Sequence, residues 1–494
     1  MSNKNCAVIG AGLGGLAAAI RIAKKGYHVT VFEKNKTPGG KASQIITNGF
    51  RFDTGPSLLT MPFVLQELFS AANENIEDHL DLRRLEIICK YFYSDGTVLN
   101  AYSNQTDFIN EAVRKTKEKK ENIEKFFSYS KIIYDLTADL FLFNPIWDLK
   151  NLLNGKYLKT LLHLKKIDTM RSMHAAITSY LNDDKMIRLF DRYATYSGSN
   201  PFDAPATLNI IAHVENGIGA YINNKGIYSI TEALYNLALK VGVNFYFGAN
   251  VNRILINDRK IVGVLVESQK LQFDIVVSNS DVNFTYTNLL NEQLSLHSDL
   301  IMKDQQSSSA IVFYWGVEGI HPELEIHNIL FSDDYKKEFE EIFSLHQIPS
   351  DPTIYIYISS KFNKSDAPAG KENWFVMINA PYIVDSKYSA PIEALKLIIL
   401  KKIKSTLSID LSNKIKSETI LTPAEIEIGT NSYKGSIYGV SSNSKFTAFV
   451  RQPNRSRKYK GLYFAGGSAH PGGGIPLVLL SAKITADLVS KYEN

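Results

Sequence analysis

Apolar residues run almost unbroken through Cys6-Ala-Val-Ile9 and again through His28-Val-Thr-Val-Phe32, separated by a glycine turn and a helical stretch from Leu16 to Lys25. That order predicts strand, turn, helix and strand over residues 6–33. Met61 to Ala72 follows the Gly55-Pro56 turn with an amphipathic helical pattern. Residues 87–93 and 97–102 alternate around Asp95-Gly96 and predict a hairpin. Residues 105–190 are helical in pattern and lysine-rich, and another helix starts at Gly226 and runs to Ala238. Alternation returns over 243–247, 249–256 and 261–266, and Phe273 to Asn279 reads as a strand returning to the first sheet. Residues 285–455 are strand-rich, clearest at 311–316, 353–358 and 374–379. The fold class is α/β, and 494 residues exceed one hydrophobic core, so two domains with interleaved segments are expected.

The first turn carries chemistry. Gly10 permits a tight exit from the strand, Gly12 lets backbone approach a pyrophosphate, and Gly15 lets the helix pack on the sheet. The helix N-terminus directs free N–H groups at such a ligand. Glu33 closes the second strand, where a carboxylate accepts both hydroxyls of an adenosine ribose and disfavours a 2′-phosphate. The next segment, Thr37-Pro-Gly39-Gly40-Lys41, has two readings. It is either a plain turn or a further backbone contact along a longer cofactor, with Lys41 near a phosphate.

Glu33 through Gly40-Lys41, with Phe52-Asp-Thr-Gly55-Pro56 behind, resembles the flavin amine oxidase and phytoene desaturase superfamily. The far segment Leu462-Tyr-Phe-Ala-Gly466-Gly467 through Gly472-Gly-Gly474-Ile475-Pro476-Leu477 resembles the C-terminal motif of carotenoid desaturases. The family pattern usually has Arg where this chain has Lys41, which keeps the charge and loses the bidentate fork. The resemblance implies a Rossmann-like FAD-binding domain interleaved with a substrate domain of mixed β-sheet plus helices. It assigns residues 1–80, 201–284 and 456–494 to the FAD-binding domain. Residues 81–104 and 285–455 go to the substrate domain, and 105–200 to a helical region facing substrate or membrane. The implied FAD contacts are Gly10, Gly12, Leu13, Gly14, Gly15, Glu33 and Lys34 at the first turn, and Gly40, Lys41, Gly55, Pro56 and Ser57 after it. Val251 and Ser278 follow, then Gly466, Gly467, Gly474, Ile475, Pro476 and Leu477, with backbone N–H groups around Ile475 to Leu477 expected to face the flavin pyrimidine. The resemblance also nominates Asp148 as a catalytic acid.

Composition narrows the rest. Cys6 and Cys89 are the only cysteines, so neither a disulfide framework nor a cysteine metal site is expected. A first strand at residue 6 and the lack of any apolar run of roughly 18 residues point to a cytoplasmic protein. A net charge of +5 does not argue for nucleic acid. Phe141-Leu-Phe143, Ile146-Trp147 and the leucines from Leu149 to Leu162 alternate with Lys150, Lys156, Lys159, Lys165 and Lys166. That segment suits either the face of an anionic bilayer or an ordinary core helix with a solvated lysine face. His470, His213 and Glu215 read as structural groups, and no metal-ligand or serine-histidine-acid spacing stands out.

Taken together, the residues and the resemblance lead to an FAD-dependent carotenoid desaturase acting on a hydrophobic substrate, peripheral on the inner face of the membrane. Four stretches resemble hydroxycarotenoid 3,4-desaturases: Thr195 to Phe202, Ile211 to Glu215, Leu330 to Tyr335 and Asn379 to Pro381. Alternatives are a multi-step phytoene desaturase, a flavin amine oxidase, and an isoprenoid-binding escort protein without FAD. The electron acceptor, oxygen or a quinone, stays open.

Overall fold

A strand buried on both faces belongs in the middle of a layered sheet, and Cys6 to Ile9 have no exposed side chain. The computed structural model, which describes residues 4–145, 167–291, 305–385, 391–443 and 451–493, puts Asn5–Ile9 at the centre of five parallel strands. Their order is Asn244–Phe247, His28–Glu33, Asn5–Ile9, Ile275–Ser278 and Leu462–Phe464. Alternate residues face two cores. Val8, Val31 and Val277 pack with the helices Leu13–Lys24, Pro62–Ala71, Tyr228–Lys240 and Ile475–Glu493. Ala7, Ile9, Phe32 and Val276 pack with the antiparallel strands Val251–Asn257 and Lys260–Val266.

A second sheet has seven strands, ordered Ile415–Leu421, Ser309–Glu318, Lys371–Ala380, Ile354–Tyr357, His327–Leu330, Ile87–Phe92 and Val98–Tyr102. The expected hairpin is its edge, joined to His327–Leu330 by the one parallel pairing in this sheet. The helix Ile392–Leu407 covers one face with Leu395, Ile399 and Ile403, spaced by one turn; the strand-rich pattern expected for this region did not include it. Phe50, Phe52, Val312, Tyr314 and Phe375 fill the opposite face. Helices Gln105–Lys115, Lys120–Phe141 and Asp184–Asp191 enclose a third core with the hairpin. Asn104 and Asp183 cap the first and last of these with side-chain oxygens. Among the described residues no helix is long and apolar enough to cross a membrane, and no cluster of ligating side chains fits a metal.

One buried carboxylate docks a helix to this sheet. Glu338, in Tyr335–Phe343, accepts from Thr353 N–H at 2.9 Å and from Thr353 Oγ–H at 2.6 Å. Burial pushes its carboxyl up to about 7, because the charged form is poorly solvated there. The folded state therefore binds more protons than the unfolded state between about pH 4.5 and 7, and stability falls as pH rises through that window. Glu338→Gln keeps the shape and removes the ionisation. Its stability relative to wild type is expected to improve by roughly 3 kcal/mol at most between pH 4 and pH 8. Urea denaturation at the two pH values checks this; a pH-independent difference would show that Glu338 does not titrate there.

Candidate active site

The chain leaves its first strand through Gly10, whose φ of +96° residues with a Cβ rarely adopt. The helix that follows lies so close that a Cβ on Gly15 would stand 2.0 Å from the Gly10 carbonyl oxygen. Glu33 reaches back to this turn. Its Oε2 accepts from Ala11 N–H at 2.8 Å, and its Oε1 accepts from the backbone and side-chain N–H groups of Asn35, both at 2.9 Å. Asn279 donates from Nδ2 to Gly10 O at 3.4 Å, and its amide is the nearest group to Gly12, Gly14 and Gly466. The first N–H groups of helix Leu13–Lys24 have no side-chain cap. They are a positive end suited to a phosphate.

These groups open onto a cavity of about 740 Å³. Gly10, Gly12, Leu13, Gly14, Glu33 and Val251 form one stretch of its wall. Gly55, Pro56 and Ser57 form another, and Gly466, Gly467, Gly474, Ile475 and Pro476 line the same cavity. Val312, Ile329, Phe375 and Met377 of the seven-stranded sheet give an apolar side. One part of the wall is polar: Arg192, Tyr196, Glu215, His327 and Tyr355.

That polar wall is densely bonded. Glu215, 1 % exposed, accepts from Tyr193 OH at 2.8 Å, from Tyr196 OH, and from Arg192 Nη2 at 3.4 Å. Arg192 also donates to Tyr91 OH at 2.8 Å, and its guanidinium lies over the rings of Tyr91, Tyr193 and Tyr196, 4.7 Å from the nearest centroid. Ser57 Oγ is 2.5 Å from Tyr355 OH, which is 2.7 Å from His327 Nδ1. Burial, with Arg192 nearby, pushes the His327 imidazole down to about 3, so it is neutral at ordinary pH. His327 Nε2 and Arg192 Nε are buried and without a partner among the described residues.

Most residues nominated from the sequence line this cavity. Lys34 and Lys41 do so with their charge taken up by the protein. Lys34 donates to Ile428 O and Asn431 Oδ1, both at 2.6 Å. Lys41, expected near a phosphate, donates to Ser436 O at 3.4 Å and to Ile437 O. Burial pushes its ammonium down to about 8, opposed by Asp281. Three nominated residues stand off the cavity wall. Gly15 serves the packing of helix on turn. Ser278 is fully buried with its hydroxyl 2.7 Å from Thr285 Oγ1, and the next residue, Asn279, fronts the cavity instead. Leu477 lies behind Ile475 and Pro476, and Pro476 has no N–H to offer a ligand. His470 is a buried neighbour of this wall: Nε2 lies 3.0 Å from Asn144 O, and burial pushes it down to about 4. His213 and Glu215 part company on a helical turn and the π turn after it, His213 packing on Tyr134. Asp148 lies outside the described residues. Sequence reasoning passed over Arg192, Tyr196, His327, Tyr355 and Asn279; only the long-range pairing of strands and helices brings them to one wall.

Residues 8–73 match the model of an NAD(P)-binding Rossmann-like domain. Over its whole length the chain is similar to curated proteins. It is 42% identical to a 1-hydroxycarotenoid 3,4-desaturase of a Flavobacterium species, covering 98% of this chain and 99% of that protein. It is 32% identical to a 4,4'-diapolycopene oxygenase of a Methylomonas species, covering 99% and 98%. Among solved structures, an oxidoreductase from Methanosarcina mazei aligns with a TM-score of 0.64 at 18% identity, covering 98% of this chain and 100% of that one. A putrescine oxidase aligns with the same TM-score at 14% identity, covering 99% of each, so both show the shared fold.

The turn makes a direct prediction. Gly15→Ala drives a Cβ into the Gly10 carbonyl and is expected to destabilise the fold by about 1–3 kcal/mol or more. Gly12→Ala meets first the movable Asn279 amide, at 2.9 Å, and is expected to lower the thermal midpoint less. Equal midpoints for the two variants would contradict the close approach of helix and turn.

Proposed function

We propose that this chain, which belongs to the carotenoid desaturase family, is an FAD-dependent 1-hydroxycarotenoid 3,4-desaturase that inserts one double bond. The observation that carries the reading is the single cavity joining a glycine-lined turn to an apolar wall, in a chain similar end to end to a 3,4-desaturase. Glycines at 10, 12, 14, 39, 40 and 55 line that cavity, and Glu33 stands where a ribose is expected. These residues fit FAD. Gly12 and Gly14 leave room for the pyrophosphate, and Ser57, Gly466 and Ile475 would flank the ring.

When bound, FAD supplies a hydride acceptor for the two-electron oxidation of the C3–C4 bond. The chain's own residues supply position and dryness. Ile329, Val312, Phe375 and Met377 offer an apolar surface along which a polyene lies and from which water is displaced. Glu215 on this wall is engaged by two tyrosine hydroxyls and an arginine, which hold its carboxylate in place rather than free it as a base. Orientation of an already activated allylic bond is what the wall provides.

We place the substrate supply at a membrane surface. Phe63, 39 % exposed, packs on Phe143, and Met170 is 73 % exposed beside the lysine-rich segment 146–166, which lies outside the described residues.

Purified protein is expected to be yellow, with flavin lost in Gly12→Val. It is expected to convert 1-hydroxylated acyclic or monocyclic carotenoids, with loss of two hydrogens by mass spectrometry, far better than phytoene. Efficient conversion of phytoene to lycopene would replace this reading with phytoene desaturase, and a colourless protein would favour the escort class. Binding to anionic vesicles is expected at low salt, weakened by converting Lys156, Lys159, Lys165 and Lys166 to Glu; wild-type protein that stays free at low salt would remove the membrane proposal.

A further inference from the structure

A cavity built for a hydrocarbon has no use for a buried ion pair, yet Arg192 and Glu215 both line it. Taking two charges out of water costs several kcal/mol per ion, and a buried pair seldom stabilises more than apolar side chains of equal volume. The pair is held with care nonetheless. Three tyrosine rings surround the guanidinium, and two tyrosine hydroxyls saturate much of the carboxylate. His327, 1 % exposed, stands on the same wall, with its ring stacked against those of Tyr355 and Tyr357.

The group is also incomplete. Glu215 accepts three hydrogen bonds where a carboxylate has about four acceptor sites. His327 Nε2 and Arg192 Nε lack partners altogether. Buried polar atoms left unsatisfied are costly, and each such atom calls for a missing partner. What is missing is a small group that both donates and accepts, which is a description of a hydroxyl.

We propose that Arg192, Glu215, Tyr196 and His327 form the subsite for the hydroxyl of the carotenoid end group, and so decide which end group is desaturated. The inference rests on the substrate reading above and names the residues behind it. The carbon bearing the hydroxyl is next but one to C3, so its anchor must stand close to the reacting bond. Ser57 belongs to the segment assigned to the flavin, and Ser57, Tyr355 and His327 form one hydrogen-bonded chain from that segment to this group.

The test uses flavin-loaded enzyme and two probes of equal length, a 1-hydroxylated acyclic carotenoid and its 1-methoxy ether, which cannot donate. Wild type is expected to favour the hydroxylated probe in kcat/KM. Glu215→Gln keeps the volume and removes the charged acceptor. It is expected to lower that preference, read as the ratio of kcat/KM for the two probes, by about 10- to 100-fold. His327→Phe preserves the ring stack and removes both nitrogens; a fall of about 10-fold is expected. A general loss of packing would lower both probes together, so the ratio separates recognition from structure. Should Glu215→Gln fail to fold or lose flavin, His327→Phe decides. Unchanged ratios in the flavin-bound variants would overturn the subsite alone. Equal turnover of both probes and of phytoene by wild type would overturn the substrate reading and the subsite with it.

Discussion

The contact on which the molecule depends is the close approach of helix Leu13–Lys24 to the turn at Gly10. With only hydrogen on Gly15, the helix N-terminus sits against the strand end, and the cavity opens in front of it. Asn279 and Glu33 then lock the turn from two sides. The asparagine amide lies among Gly10, Gly12, Gly14 and Gly466, and the carboxylate holds Ala11 N–H. Because Asn279 follows the strand Ile275–Ser278 and Gly466 follows Leu462–Phe464, the same contact fixes where the C-terminal helix begins. A turn written in the first residues thus sets the position of residues more than four hundred places later.

What could be read from the sequence follows the range of the physical signal. Local periodicity carried the first strand, the hairpin at 87–102, the helix after Gly226 and the strands near 311, 354 and 374, since each states its burial in its own pattern. The glycine turn was legible because φ at Gly10 and the clearance at Gly15 admit almost no other residue. Ser278 shows the limit of such reasoning. A strand ending at the cavity alternates its side chains, and an error of one place moves the cavity-lining residue from Asn279 to a hydroxyl buried against Thr285. Lys41 shows another limit: a cation close to a glycine pair looked free for a phosphate, but carbonyls of residues near 437 receive it. The polar wall was the least legible part. Arg192, Glu215 and His327 come from three distant segments, and no local spacing announces their meeting.

The family resemblance and the geometry draw on different information here. The four stretches singled out as resembling hydroxycarotenoid desaturases are scattered through the chain, and each contributes to the cavity: Thr195 and Tyr196, Glu215, Tyr335, and Asn379. Of these, Glu215 reads from the sequence as a structural residue. Burial alone supports that view, for it is 1 % exposed. Its place beside an apolar cavity, with neighbours whose hydrogen-bonding capacity is unfilled, supports a different one.

A polar anchor close to the reacting bond also bears on how many bonds are made. A polyene is stiff, so fixing one end fixes the register of every carbon along the apolar wall. While the hydroxyl is held, only the bond a set distance away faces the hydride acceptor. Once that bond is oxidised, the next saturated position can reach the same place only if the chain slides and the hydroxyl leaves its partners. Sliding would bury an unpaired hydroxyl against apolar side chains and strip the Arg192–Glu215 group of its partner, each at a cost on the order of 1–3 kcal/mol. A purely apolar tunnel lacks that restraint, because a hydrocarbon slides along it with little change in contact. On this argument the polar wall selects the end group and also limits the enzyme to a single double bond for each binding event.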